Sequence, residues 1–305
     1  MPSQFKYGLK VVRMPVKSFW RLADTLGDPK GQLVFLTNTA RCGSTLLTQM
    51  FEVTNKIVAI SEPSTLNVLS KMTAKEKQTP ELKRLIVATV RVLCKPTSNK
   101  ELAYVLKLTS PAMQGLPIVA ELFPKSRHLF MYRDSLKVAQ SLYRLSEELP
   151  ALKTVFVMGK GSETRLGWCV EAMGMPKDAF KFTLQFDLSI GTMLWGAMVK
   201  IYERFREDGI NIAGVRYEDI VKQPVEAVAI VLRYINLPEE LAQDAKKALE
   251  WDSQRNTPLA NKVLSRHKTL EYSGPSKAEC DRICDIIGVP HLDTVYITPG
   301  TITVI

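Results

Sequence analysis

The stretch TNTARCGSTLL, residues 37–47, closes the apolar run QLVFLTN of residues 32–38 and opens a pattern with Leu46, Leu47, Met50, Phe51 and Val53 at helical spacing. The reading is a buried strand, a glycine-bearing turn and a helix, with Ser44 or Thr45 placed to cap the helix start. A turn of this kind gathers backbone N–H groups at a helix N-terminus, which favours an anion. The lysine that follows the last glycine of a nucleoside-triphosphatase loop is missing here. Gly43 is followed by Ser44, and the basic residue, Arg41, precedes it. A tyrosine-phosphatase loop would need an Arg where Thr48 stands relative to Cys42. Two readings stay open at this point: a cradle for one phosphate, or a plain strand-to-helix turn with a Ser cap.

Working outward, the apolar runs KIVAIS (56–61), ELAYVLKLT (101–109), RHLFMYR (127–133) and INIAGVRY (210–217) alternate with helical patterns. Those patterns lie in SLKVAQSLYRL (135–145), in residues 189–206 and in VEAVAIVLRYI (225–235). Alternation of this sort specifies an α/β fold, with a central parallel β-sheet flanked by helices on both faces. Ligands on such sheets bind at the carboxyl ends of the strands, where the charged residues of these runs gather. Residues 1–305 read as one domain, with 1–31 as an N-terminal arm. Residues 146–190 form a long insertion carrying Phe156, Trp168, Phe180, Phe182 and Phe186, suited to lining an acceptor pocket.

The chain has 41 Lys and Arg against 31 Asp and Glu, a formal charge of +10, which favours an anionic partner. The basic residues are dispersed, without the clustering or aromatic signature of a nucleic-acid binder. The 5 cysteines, Cys42, Cys94, Cys169, Cys280 and Cys284, have no zinc-ligand spacing, so no metal site is expected and free thiols in a reducing compartment are. Lys6, Lys10, Arg13 and Lys17 interrupt the N-terminus, and no run of about 18 apolar residues occurs. A cytoplasmic protein that uses neither membrane nor nucleic acid is the expectation, with the oligomeric state, a homodimer included, left open.

TARCGSTLL resembles the 5′-phosphosulfate loop of the sulfotransferases that use 3′-phosphoadenosine-5′-phosphosulfate, with Arg41 as its basic residue. MYRDSLKVAQSLYRL is similar to that family's 3′-phosphate motif, an Arg closing a strand and a Ser eight residues later, here Arg133 and Ser141. VRYEDIVKQP resembles its late RYEDL stretch, bringing Tyr217 to the cofactor, and Trp195 resembles a residue of its central helix. The resemblance implies a P-loop-like sulfotransferase fold. It also implies the phosphosulfate as donor, adenosine 3′,5′-bisphosphate (PAP) as product, and a small hydroxyl-bearing molecule as acceptor, less readily an amine.

By the same resemblance Arg41, Cys42, Gly43, Ser44 and Thr45 hold the 5′-phosphate. Lys107 is the catalytic lysine bridging leaving phosphate and sulfuryl oxygens. The cytosolic branch places a His shortly after that lysine, but this chain reads KLTSP, and His128 lies inside an apolar strand as a core residue. The tyrosylprotein branch instead uses a Glu after the second strand, which SEPST matches with Glu62. Glu62 is therefore the expected base. Residues 253–305, beginning with SQRNTPLANKVLSRHK, fall where the family folds a loop over its cofactor, with Arg255 and Lys262 as candidate phosphate contacts.

Overall fold

The computed structural model describes residues 12–75, 78–96, 100–151 and 187–302. Strands β1 (Gln32–Asn38), β2 (Ile57–Ser61), β3 (Ala103–Lys107), β4 (Arg127–Tyr132) and β5 (Ile212–Arg216) lie within the expected apolar runs. They form one sheet in the order β2-β3-β1-β4-β5, every pair parallel. Alternation along β1 divides the core in two. Leu33 and Phe35 pack with Tyr104, Leu106 and Phe130 on one face, while Val34 and Leu36 pack with Val105 and Leu129 on the other.

The helices that build the site are α1 (Ser44–Glu52), α2 (Ser135–Glu148), α3 (Leu188–Glu207) and α4 (Gly274–Ile287). Helix α1 covers the second face through Leu47, Met50 and Phe51; α2, α3 and α4 cover the first. A Cβ on Gly191 of α3 would fall 2.5 Å from the Cα of Ala139 on α2, so only glycine permits this approach. Cys280 and Cys284 share the buried side of α4, and with Cys42 and Cys94 they are free thiols. Because the chain leaves β1 toward β2 and β3 on one side and later crosses to β4 on the other, the switch point lies at the carboxyl end of β1.

The expected N-terminal arm carries a helix, Val16–Leu26, held to helix Pro80–Leu93. Asp24 pairs with Arg84 and Arg91 at 3.1 and 2.9 Å, and the Arg84 guanidinium lies over the Trp20 ring. The C-terminal region does two things. Its first part, Trp251 onward, reaches the carboxyl edge of the sheet, while its end runs along β5, where Gly214 and Ile302 N–H groups donate to Gly300 and Gly214 carbonyls. Of the expected acceptor-pocket insertion, residues 152–186 lie outside the described residues, together with its five aromatic side chains and Cys169. Among the described residues no helix is long and apolar enough to cross a membrane.

His128 is the core residue its sequence setting indicates. It is buried in β4, stacks on Phe35 and shares a 3.2 Å contact with the Ser126 hydroxyl. Burial, and then the charge of Arg127, lower its pKa to about 4. Between that value and the ordinary 6.5 the unfolded chain binds the proton and the folded chain does not. Stability contributed by neutral His128 is thus complete above about pH 6.5 and lost as pH falls toward 4, by up to about 3 kcal/mol. Denaturant titrations from pH 7 to pH 4 are expected to show this slope in the native sequence and a shallower one in His128→Phe, which leaves Ser126 bonded to Phe123. Equal slopes would remove His128 as the cause.

Candidate active site

The turn after β1 is held in conformations that side chains usually avoid. Ala40 and Arg41 have φ of 63° and 48°, and Gly43 has 82°. Left-handed non-glycine residues cost about 1–3 kcal/mol each and persist only where the surroundings hold them. Buried Asn38 does much of the holding. Its Oδ1 accepts from the Ala40 N–H at 2.9 Å and from the Ser110 hydroxyl at 3.1 Å, and its Nδ2 donates to Leu108 O at 2.9 Å. One side chain thereby ties the end of β1, the turn and the residues after β3. At Gly43 a second constraint acts, because a Cβ there would lie 2.4 Å from the Tyr217 ring. That ring, just past β5, also carries the Arg133 guanidinium at 4.5 Å.

Helix α1 begins at Ser44 with no side-chain cap. The expected cap is not formed: Ser44 is buried, and the Thr45 hydroxyl accepts hydrogen bonds from Lys107 Nζ at 3.1 Å and Gln254 Nε2 at 2.9 Å. The first turn, Ser44 to Leu46, lines a cavity of about 380 Å³ at the carboxyl edge of the sheet. An uncapped helix start facing a cavity offers N–H donors and the positive end of the helix dipole to an anion.

Two kinds of positive charge border this cavity. On the α2 side Arg41 and Arg133 have no carboxylate partner among the described residues. Arg41 Nε donates to the Ser141 hydroxyl at 2.9 Å, and among the described residues the buried Nε of Arg133, like that of Arg144 outside the lining, has no hydrogen-bond partner. Burial first, then the charge of Arg133, holds the Arg41 pKa below its ordinary value. Arg144 adds to that repulsion and Asp252 opposes it. Arginine nevertheless keeps its charge, so an anion placed among these groups relieves both desolvation and repulsion.

Lys107, at the end of β3, is different. It is only 4% exposed, and its Nζ lies 3.1 Å from Glu62 Oε1. Glu62 follows β2 with φ of 54°, and its N–H donates to Lys107 O at 2.8 Å. The carboxylate itself is half exposed and borders the cavity, free to meet a ligand on its open side. Glu62, Lys107, Thr45 and Gln254 form one continuous polar chain across the cavity floor.

Of the residues singled out from sequence, Arg41, Gly43, Ser44, Thr45, Glu62, Lys107, Arg133 and Tyr217 border this cavity. Ser141 is tied to it through Arg41, whose Nε donates to the Ser141 hydroxyl at 2.9 Å. Cys42 is fully buried with its thiol donating to Met131 O at 3.1 Å, so it offers its backbone alone. Burial also pushes that thiol pKa up, which removes a thiolate nucleophile. Arg255 and Lys262 are exposed and absent from the lining. Arg255 lies over the Trp251 ring at 5.4 Å. Their neighbours Gln254 and Asn261 border the cavity instead. Sequence reasoning missed these two as well as Asn38 and Ser110. The signal for Asn38 was its place at the end of β1 and for Ser110 its place three residues after β3, whereas a neutral amide in a basic loop carries none.

Residues 32–280 match the family model described as "Sulfotransferase domain". No curated protein matches the chain. Among solved structures, the sulfotransferase domain from the curacin biosynthetic pathway aligns with a TM-score of 0.51 at 15% identity, covering 86% of this chain and 99% of that one. Sulfotransferase STF1 from Mycobacterium tuberculosis H37Rv aligns with a TM-score of 0.50 at 13% identity, covering 88% and 81%. Sulfotransferase STF9 from Mycobacterium avium gives 0.50 at 10% identity, covering 90% and 80%. At these identities the structures speak for the fold, and the family match over most of the chain speaks for membership. The chain belongs to the sulfotransferase domain family, with that family's parallel α/β fold.

Proposed function

We propose that the chain moves a sulfuryl group from 3′-phosphoadenosine-5′-phosphosulfate to a hydroxyl of a small or medium acceptor, in the cytoplasm, with Glu62 as base. One observation carries this reading. The buried Lys107 holds both the half-exposed Glu62 carboxylate and Thr45 at the uncapped start of α1, so proton acceptor and anion site share one cavity. The residues present fit a doubly phosphorylated donor. Among the described residues Arg133 at the cavity has a buried Nε without a hydrogen-bond partner, and Arg41 lacks a carboxylate partner.

In the proposed arrangement Arg41, Thr45 and the first-turn N–H groups of α1 hold the 5′-phosphate, and Arg133 with Ser141 holds the 3′-phosphate. When bound, the donor supplies an electrophilic sulfur and a phosphate leaving group. Glu62 accepts the proton of the acceptor hydroxyl on its open side. Lys107, drawn toward charge that grows between it and the helix start, stabilises the departing oxygen. Displacing Lys107 from Glu62 as this happens frees the carboxylate for the incoming proton. No metal is required of this set, because guanidinium, ammonium and N–H donors supply the positive field.

Glu62→Gln is expected to lower kcat about a hundredfold or more while leaving the affinity for PAP within about twofold. Near-normal turnover in that variant would end the role of base. Arg133→Ala is expected to weaken PAP about tenfold or more, yet leave adenosine 5′-phosphate little changed, as read by calorimetric titration. A native protein whose melting temperature rises with ATP or single-stranded oligonucleotide, but not with PAP, would overturn the donor assignment itself.

A further inference from the structure

Gln254 carries no charge and belongs to no motif, yet it is among the most firmly held side chains at the cavity. The segment from Trp251 to Asn261 is pinned to α1 and to itself. Trp251 Nε1 donates to Gln49 Oε1 at 3.3 Å, and Gln49 Nε2 donates to Ser253 O at 2.9 Å. Asp252 accepts from the Gln254 N–H at 2.8 Å and from the Asn261 N–H at 2.7 Å. These bonds present the Gln254 amide to Thr45, with Nε2 donating to Thr45 Oγ1 at 2.9 Å. The Thr257 hydroxyl donates to the Gln254 backbone carbonyl at 2.7 Å, closing the turn that carries this amide.

Thr45 therefore stands between two donors. Lys107 Nζ can only donate, and the Gln254 NH2 group does the same, at 3.1 and 2.9 Å. A hydroxyl oxygen has two lone pairs, and both are now engaged. Its single proton is left to point elsewhere. Thr45 borders the cavity in the first turn of α1, so the free O–H is available to an anion there.

We propose that Gln254 is a positioning residue: together with Lys107 it fixes Thr45 as a hydrogen-bond donor to the 5′-phosphate of the donor nucleotide. This rests on the sulfotransferase reading above and adds a residue that reading does not contain. The same bond makes the 251–261 segment, which Gln49 holds to α1, part of 5′-phosphate recognition.

The test is equilibrium binding of two ligands to the full chain, PAP and adenosine 3′-phosphate, which lacks the 5′ group. Gln254→Ala is expected to weaken PAP about tenfold and to leave adenosine 3′-phosphate within about twofold. Gln254→Glu, whose carboxylate takes the Thr45 proton, is expected to weaken PAP further. In a Thr45→Val background both Gln254 substitutions are expected to lose their effect on PAP. Equal weakening of both ligands by Gln254→Ala would mean that the residue only holds the loop, and would overturn the proposal. An undiminished Gln254→Glu penalty on Thr45→Val would mean plain charge repulsion, and would overturn it too. A native chain that fails to bind PAP at all defeats the donor assignment instead, so the two failures are distinguishable.

Discussion

The contact between Gly43 and the ring of Tyr217 is the constraint on which the carboxyl edge of the sheet depends. It joins the turn after β1 to the end of β5, across β4, and it has no room for a side chain at position 43. Any residue with a Cβ would meet the ring and would also resist the φ of 82°. With the ring fixed, the Arg133 guanidinium stacks on it, and with the turn fixed, Arg41 is set against Ser141. Asn38 then closes the remaining freedom by bonding to the turn and to the residues after β3. Three strand ends are thus locked by two side chains and one absent one.

The electrostatic division of the cavity follows from that geometry. Lys107 is buried with an acidic partner at hand, whereas Arg41 and Arg133 repel each other and have no ion-pair partner among the described residues. Burying charge without a partner is unfavourable, and fold stability alone would select against it. The arrangement becomes economical once an anion of two or more charges occupies the cavity, since it pairs with groups already desolvated and already facing it. Two carboxylates border the cavity with these cations: the half-exposed Glu62 sits with Lys107, and Asp252 accepts from the Gln254 and Asn261 N–H groups.

Much of this was legible in the sequence because a parallel sheet buries both faces of its strands. The five strands announced themselves as continuous apolar runs, and the polar residue ending each run had to fall on one edge. Glu62, Lys107, Arg133 and Tyr217 lie at or just past those ends, but it was the resemblance to the sulfotransferases that singled them out, as it did Arg41 in the turn. What stayed hidden depended on which neighbour a side chain meets. Spacing put Ser141 on the correct face of α2 but not against Arg41, whose reach depends on the left-handed turn. Charge made Arg255 and Lys262 conspicuous, although the segment turns them to solvent and Gln254 inward. The helix within the N-terminal arm escaped notice because its packing partner, Pro80–Leu93, is distant in sequence.

The fate of Thr45 shows why a capping motif and an anion site read alike in sequence and diverge in structure. A Ser or Thr beside a glycine at a helix start serves equally well as a cap or as a ligand. As a cap it would accept a first-turn N–H and contribute about 1 kcal/mol to the helix. Here the N-cap position is Gly43, which has no side chain, and Thr45 lies inside the first turn with its hydroxyl accepting from Lys107 and Gln254. The helix start has no side-chain cap, and its first turn lines the cavity. An incoming anion would then act as the missing cap. On the proposed reading, ligand binding and completion of α1 would be the same event, tuned by residues on β3 and on the segment after Trp251.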